Sequence, residues 1–118
     1  MADRTTLTKT IAPGGYAGAG ILLTKTGADS TNKNRFIASG KDLVIAFQAG
    51  STERAVTIYS VADPYGRTGN LVDPLPAAAA TFRMWGPFPC LGWKQVGSQY
   101  IHLDGAHAEC QFAIVELP

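Results

Sequence analysis

The sequence predicts an all-β protein: a single antiparallel β-sandwich, jelly-roll-like, with an extended N-terminal arm. Three observations predict it. Short runs alternate apolar and polar side chains, the period of strands with one buried face. Turn residues punctuate these runs at short intervals. Helical periodicity is nearly absent, so the crossover helices that a parallel βαβ sheet requires are missing.

Length and composition set the bounds. The 118 residues amount to one domain. A chain of that size buries roughly two-thirds of its unfolded surface, enough to fold without disulfide staples. Hydrophobic residues make up 46% and charged residues only 16%. Much of the surface is therefore left to Thr, Ser, Gly, Ala and Gln, which suits packing against other protein. The net charge is +1, and lysines and arginines stand singly from Arg4 to Lys94 with no two adjacent. Nucleic-acid binding concentrates positive charge in a patch or stripe, so nucleic acid is not an expected partner. No apolar run approaches the roughly 20 residues of a membrane helix, and no membrane is expected as a partner either. Residues 1–10 lack the apolar core of a secretion signal. The expectation is a protein made and kept in a reducing compartment, with Cys90 and Cys110 as two buried thiols rather than a bridge.

Taken in order, the elements divide into an arm over residues 1–20 and a sandwich over residues 21–118. Thr5–Thr10 is Thr-rich and extended in character. Residues 11–20 hold four glycines and a proline, a composition that forms no core. In Asp42–Phe47, Leu43, Ile45 and Phe47 share one face. In Ala55–Tyr59, Val56 and Ile58 oppose Thr57 and Tyr59. Thr81–Trp85 sets Phe82 and Met84 against Arg83, and Gln99–Leu103 alternates again. Ala108–Ile114 closes the set. Turns are expected at Ser39-Gly40-Lys41, Ala49-Gly50-Ser51, Asp63-Pro64, Gly86-Pro87 and Asp104-Gly105. The Ala77–Ala80 run follows Pro76 and is too short for a stable helix. Phe88–Pro89, an aromatic–proline bond, is the expected cis peptide. There is no internal repeat.

The sequence carries little that reads as reactive chemistry. SVADPYGRTGN (Ser60–Asn70) fails as a phosphate loop, because Asn70 rather than Lys-Ser/Thr follows Gly69 and no helix comes after it. It reads as a turn: Asp63-Pro64 starts it, Gly66 and Gly69 supply left-handed geometry, and Arg67 pairs with Asp63 across the loop. No Gly-x-Ser-x-Gly elbow exists, and the apolar setting of Cys90 raises a thiol pKa rather than lowering it. No catalytic residue and no cofactor is expected; the chain does not read as an enzyme.

The nearest approach to a metal site is His102 with His107, flanked by Asp104 and Glu109. A two-residue Asp104-Gly105 hairpin turn would set the histidines opposite each other, with Cβ atoms about 5 Å apart. A four-residue loop would remove that pairing. Either loop puts Ile101, Leu103, Ala108, Cys110, Phe112 and Ile114 on the core side. Closed zinc sites need four ligands, so no metal is expected. Trp85 and Trp93 flank the bend at residues 86–89, where they serve as a sugar-stacking platform or close one end of the sandwich.

Four segments together resemble the small virion proteins encoded beside the major capsid protein of tailed bacteriophages. They are MADRTTL (Met1–Leu7), VTIYSVADPYGRTGN (Val56–Asn70), GPFPCLGW (Gly86–Trp93) and FAIVELP (Phe112–Pro118). These are turns and strand ends spread over most of the chain; Asn70–Ala80 has no counterpart. The resemblance implies a head structural protein, a capsid decoration or cement protein, assembled in the host cytoplasm and seated on the virion surface. The implied partners are the major capsid protein and further copies of itself. An N-terminal arm suits strand addition to a neighbour's sheet through Thr5, Thr6, Leu7, Thr8, Lys9 and Ile11. Tyr65, Arg67 and Trp93 are the loop contacts, since Tyr, Trp and Arg are enriched at interface hot spots. Two other readings stay open: a neck or tail-tube subunit, which would assemble into rings, and a carbohydrate-binding sandwich, which would expose Trp85, Trp93 or Tyr65.

Overall fold

The structure, a computed structural model, describes residues 4–12, 22–62, 65–66 and 68–117. Among them every regular element is a strand: β1 (Thr5–Thr6), β2 (Lys9–Ile11), β3 (Thr26–Gly27), β4 (Asn34–Ile37), β5 (Asp42–Gln48), β6 (Arg54–Ile58), β7 (Leu71–Leu75), β8 (Phe82–Phe88), β9 (Tyr100–Gly105) and β10 (Cys110–Glu116). They form two sheets. The first runs β1-β4-β9-β6-β7 and the second β2-β10-β5-β8, with β3 also paired to β10. The chain is a β-sandwich. Alternate residues of each strand meet between the sheets: Phe36, Val56, Ile58, Ile101 and Leu103 from the first, Val44, Ala46, Cys110, Phe112 and Ile114 from the second. Burying so much apolar side chain is the main stabilising term, at about 25 cal/mol for each Å² removed from water.

Most strand pairs are antiparallel, but the sheets are mixed. β1 pairs parallel with β4, and β2 pairs parallel with β10. Both parallel pairs come from the segment expected as a free arm, so Thr5–Ile11 is built into its own domain instead. The chain crosses from one sheet to the other at Leu7, which is 4% exposed and lies in the core. Its N–H donates to the Arg35 carbonyl at 2.8 Å. Lys9 then reaches the fully buried Asp42 at 2.9 Å and Glu116 at 3.0 Å. Ser39 completes the Asp42 carboxylate through its N–H (2.7 Å) and hydroxyl (2.8 Å). A buried carboxylate is tolerated only when paired and hydrogen-bonded in this way. Residues 13–20 of the expected arm lie outside the described residues.

The sheet edges are protected. β1 and β2 are two and three residues long. β7 carries Pro74 and β8 carries Pro87. Short strands and edge prolines both oppose edge-to-edge pairing with another chain.

Two turn expectations are corrected. Gly86-Pro87 is not a turn but part of β8, and its peptide bond, not Phe88–Pro89, is the cis one. The geometry needs glycine there: φ at Gly86 is +107°, and a Cβ would stand 2.8 Å from the Asp42 carbonyl oxygen. Asp104-Gly105 is not a hairpin turn either. Both residues belong to β9, and the following strand β10 lies in the other sheet. Ala108, expected in the core, is exposed, because it sits in the connection that precedes β10. Ser39–Lys41 and Ala49–Ser51 do connect strands. The Ala77–Ala80 run is bends and turns, with Ala80 at φ +67°. It is held by the buried Gln48, whose Nε2 donates to the carbonyls of Thr52 (2.7 Å) and Pro76 (3.1 Å).

Candidate functional site

The expected metal pair does not form. His102 lies on the outward face of β9 beside Arg35 of β4, its register partner. His107 sits in the connection to β10, where its Nδ1 accepts the Glu109 N–H at 3.1 Å. Glu109 is engaged by Arg54 at 2.7 Å. Among the described residues no three His, Cys, Asp or Glu side chains gather at metal-binding distance. Both cysteines are free thiols. Cys110 is buried, and burial pushes its pKa up; Cys90 is half-buried.

The loop contacts fall in two places. Ser60–Asn70 joins the neighbouring antiparallel strands β6 and β7, as a turn should. Ser60 anchors it: its N–H donates to Asn70 Oδ1 (3.0 Å), and its hydroxyl accepts the Gly69 N–H (2.7 Å). Gly66 is left-handed at φ +77°. Asp63, Pro64 and Arg67 lie outside the described residues, and with them the expected turn start and the Arg67–Asp63 pair. The loop meets the bend after β8, where the Val61 N–H donates to the Gly92 carbonyl at 2.8 Å. Together they frame a groove of about 490 Å³ that Trp93 lines. Trp93 is half-buried, edge-on to Phe88 with ring centroids 4.9 Å apart. Tyr65 is 83% exposed. Trp85 is buried instead, and its indole N–H donates to Asp73 at 3.0 Å. It closes the core and offers no face to a sugar.

Of the N-terminal residues, Thr5, Thr6, Thr8 and Ile11 remain on the surface, whereas Leu7 is in the core and Lys9 is bound to two carboxylates. Thr5 donates to Asp29 at 2.6 Å, and that bond is the main cause holding the Asp29 carboxyl below its ordinary pKa. Thr6 accepts from Arg35 at 3.0 Å.

The sandwich turns two unlike faces outward. The outward side of the first sheet carries charge. Arg4 pairs with Asp104 at 2.8 Å, the Tyr59 hydroxyl donates to the same carboxylate at 2.5 Å, and Arg4 stacks on the Tyr59 ring. The Asp104 bond raises the Tyr59 pKa. His102 is held below its ordinary value, first by burial and then by Arg4 and Arg35.

The outward side of the second sheet is apolar. Its rows run directly across the strands: Phe82 beside Phe47, Met84 beside Ile45 beside Ala113, and Leu43 beside Val115. Ile45, Ala113 and Val115 form a second buried cluster, with Leu43, Phe47, Ala12 and Leu117 packed on it. Phe82 and Met84 continue the face at the β8 edge and are each 59% exposed. Sequence reasoning did not single out this face, although the signal was there. Leu43–Phe47 and Phe112–Val115 are apolar at every position, the mark of strands covered on both sides.

Comparison with protein-family models, with curated proteins and with solved structures finds no match for this chain.

Proposed function

We propose that this chain is a virion structural protein that binds the outside of a bacteriophage capsid and stabilises contacts between capsomers. The observation that carries the reading is the apolar outward face of the second sheet, open at Phe82 and Met84. Exposed apolar side chains grouped at a sheet edge are what a protein-docking surface requires. The major capsid protein is the partner, with further copies of this chain as neighbours on the lattice. A decoration protein needs a rigid body, and the N-terminal segment supplies rigidity by tying both sheets together. Weak single contacts suffice on a lattice, where many sites raise the effective concentration. The resemblance of four segments to phage head proteins supports the same reading. Burial of Trp85 weighs against a sugar-binding role.

The test is binding of the purified protein to capsids that lack it, before and after shell expansion. Saturable binding to expanded shells, with raised heat resistance, is expected. Binding to neither shell, or self-assembly of the protein into rings, would overturn the reading in favour of a neck or tail role.

A further inference from the structure

The charged face holds a groove that the capsid reading does not use. It measures about 790 Å³, and Arg35, Lys94, Gln95, Ser98, Tyr100 and His102 are among its lining residues; among the described residues no Asp or Glu lines it. The guanidinium of Arg35 stacks 3.9 Å from the Tyr100 ring centroid. Its Nε donates to Thr6, which leaves the terminal N–H groups without an acceptor among the described residues. Lys94 likewise has no ion-pair partner there. Asp104, the acid further along β9, is already engaged by Arg4 and Tyr59.

The rim is set before anything binds. The Gln95 N–H donates to the Tyr100 carbonyl (2.9 Å), the Ser98 N–H to the Gln95 carbonyl (3.1 Å), and the Tyr100 N–H to the Ser98 hydroxyl (3.0 Å). Gly97 supplies the left-handed turn at φ +71°. A loop already ordered loses little entropy on binding.

We propose that this groove binds a carboxylate-bearing segment of a partner protein, an acidic peptide stretch held by Arg35 and Lys94. A planar guanidinium with free terminal N–H groups matches a carboxylate in a two-bond fork. Nucleic acid fits less well. Bases bind by stacking on open aromatic faces, whereas Arg35 lies over Tyr100 and Arg4 over Tyr59. Two unpaired cations also fall short of a phosphate-tracking stripe. An incoming carboxylate opposes the field of Arg4 and Arg35 at His102 and favours its protonated form, so binding tightens as pH falls. The groove lies on the opposite sheet from the apolar face, so failure of shell binding leaves this proposal standing.

The experiment titrates the full-length, ¹⁵N-labelled protein with a Glu-rich peptide, with inorganic phosphate and with oligo-dT in parallel. The expected result is saturable peptide binding that shifts the amides of Gln95, Gly97 and Ser98. Arg35→Gln and Lys94→Glu should each weaken it about tenfold, while Lys41→Glu, on an exposed loop elsewhere, should not. Lys94 is exposed, so Lys94→Glu keeps the test valid if Arg35→Gln fails to fold. Three results would overturn the proposal: no saturable peptide binding, peptide binding indifferent to both groove variants, or tighter binding of phosphate or oligo-dT than of peptide at the same amides.

Discussion

The outward faces of the two sheets are built from the same kind of strand and present opposite chemistry. On β9 of the first sheet, apolar and polar residues alternate strictly. Ile101 and Leu103 point inward while Tyr100, His102 and Asp104 point outward, and the outward set is linked by ion pairs and cation–π contacts. On the second sheet, β5 and β10 are apolar on both sides, and the outward set is Leu43, Ile45, Phe47, Ala113 and Val115. A sandwich needs only its inner faces apolar to fold. The second outward face is largely covered within the chain, with Ile45, Ala113 and Val115 buried, and its open edge at Phe82 and Met84 is the part expected to meet another protein. The first is a hydrated surface with a specific groove.

The largest expected effect on stability separates the faces directly. Ile45 is 7% exposed in the middle of the apolar face, whereas Val72 is 65% exposed on β7 of the first sheet. Ile45→Asp should lower unfolding free energy by about 3 kcal/mol or more, because it buries a carboxylate without a partner. Val72→Asp should stay within about 0.5 kcal/mol of the parent. Urea unfolding midpoints measure both, and equal effects would erase the distinction.

A smaller effect is expected from the charged network. Arg4→Met removes the cation from Asp104 and should cost about 1–2 kcal/mol, between the worth of an exposed ion pair and that of a buried charged hydrogen bond, because the pair is partly exposed. It should also raise the His102 pKa, since Arg4 is one of the causes that lower it; NMR titration of the imidazole reads this separately from stability.

Smaller again is the pH dependence. The folded chain binds the His102 proton less tightly than the unfolded chain does. That contribution to stability is complete above about pH 6.5 and is lost as pH falls through the lower folded value. His102→Gln should flatten this part of the stability profile. A profile unchanged by the substitution would place the titration elsewhere.

How much of this was legible in the sequence follows from the patterns. Strict alternation exposed the inward residues of β6 and β9, where one face is apolar and the other is not. It placed Cys110, Phe112 and Ile114 of β10 in the core, where they lie, but on β5 it singled out Leu43, Ile45 and Phe47, which turn outward while Val44 and Ala46 face the core, because both sides of that strand are apolar and sheet pairing decides. The N-terminal segment misled for a related reason. Two- and three-residue strands carry too little pattern to show a partner, and their parallel pairing to β4 and β10 depends on residues far along the chain. Asp104-Gly105 looked like a hairpin turn on local propensity alone. In place, the backbone at Gly105 packs so close that a Cβ would stand 2.5 Å from that of Ala28. Glycine is needed there for space rather than for turning. The buried posts Asn34, Asp42 and Gln48 were also missed, since polar residues read as surface until their partners are known. Thr5, Thr6, Tyr65 and Trp93 were picked by residue type and lie outside the apolar face at Phe82 and Met84, which needed the sheet register.

A small effect on stability carries the largest expected effect on function. Phe82 and Met84 are mostly exposed, and Phe82 touches Phe47 with ring centroids 5.5 Å apart. Replacing both with Glu should cost about 1 kcal/mol, so the variant remains folded. The most direct measurement is therefore the affinity of Phe82→Glu/Met84→Glu for expanded capsid shells, beside the parent and Val72→Asp. Loss of shell binding in the double variant, with parent-like binding by Val72→Asp, is the predicted result. Undiminished binding by the folded double variant would contradict the claim that the apolar face docks on the shell.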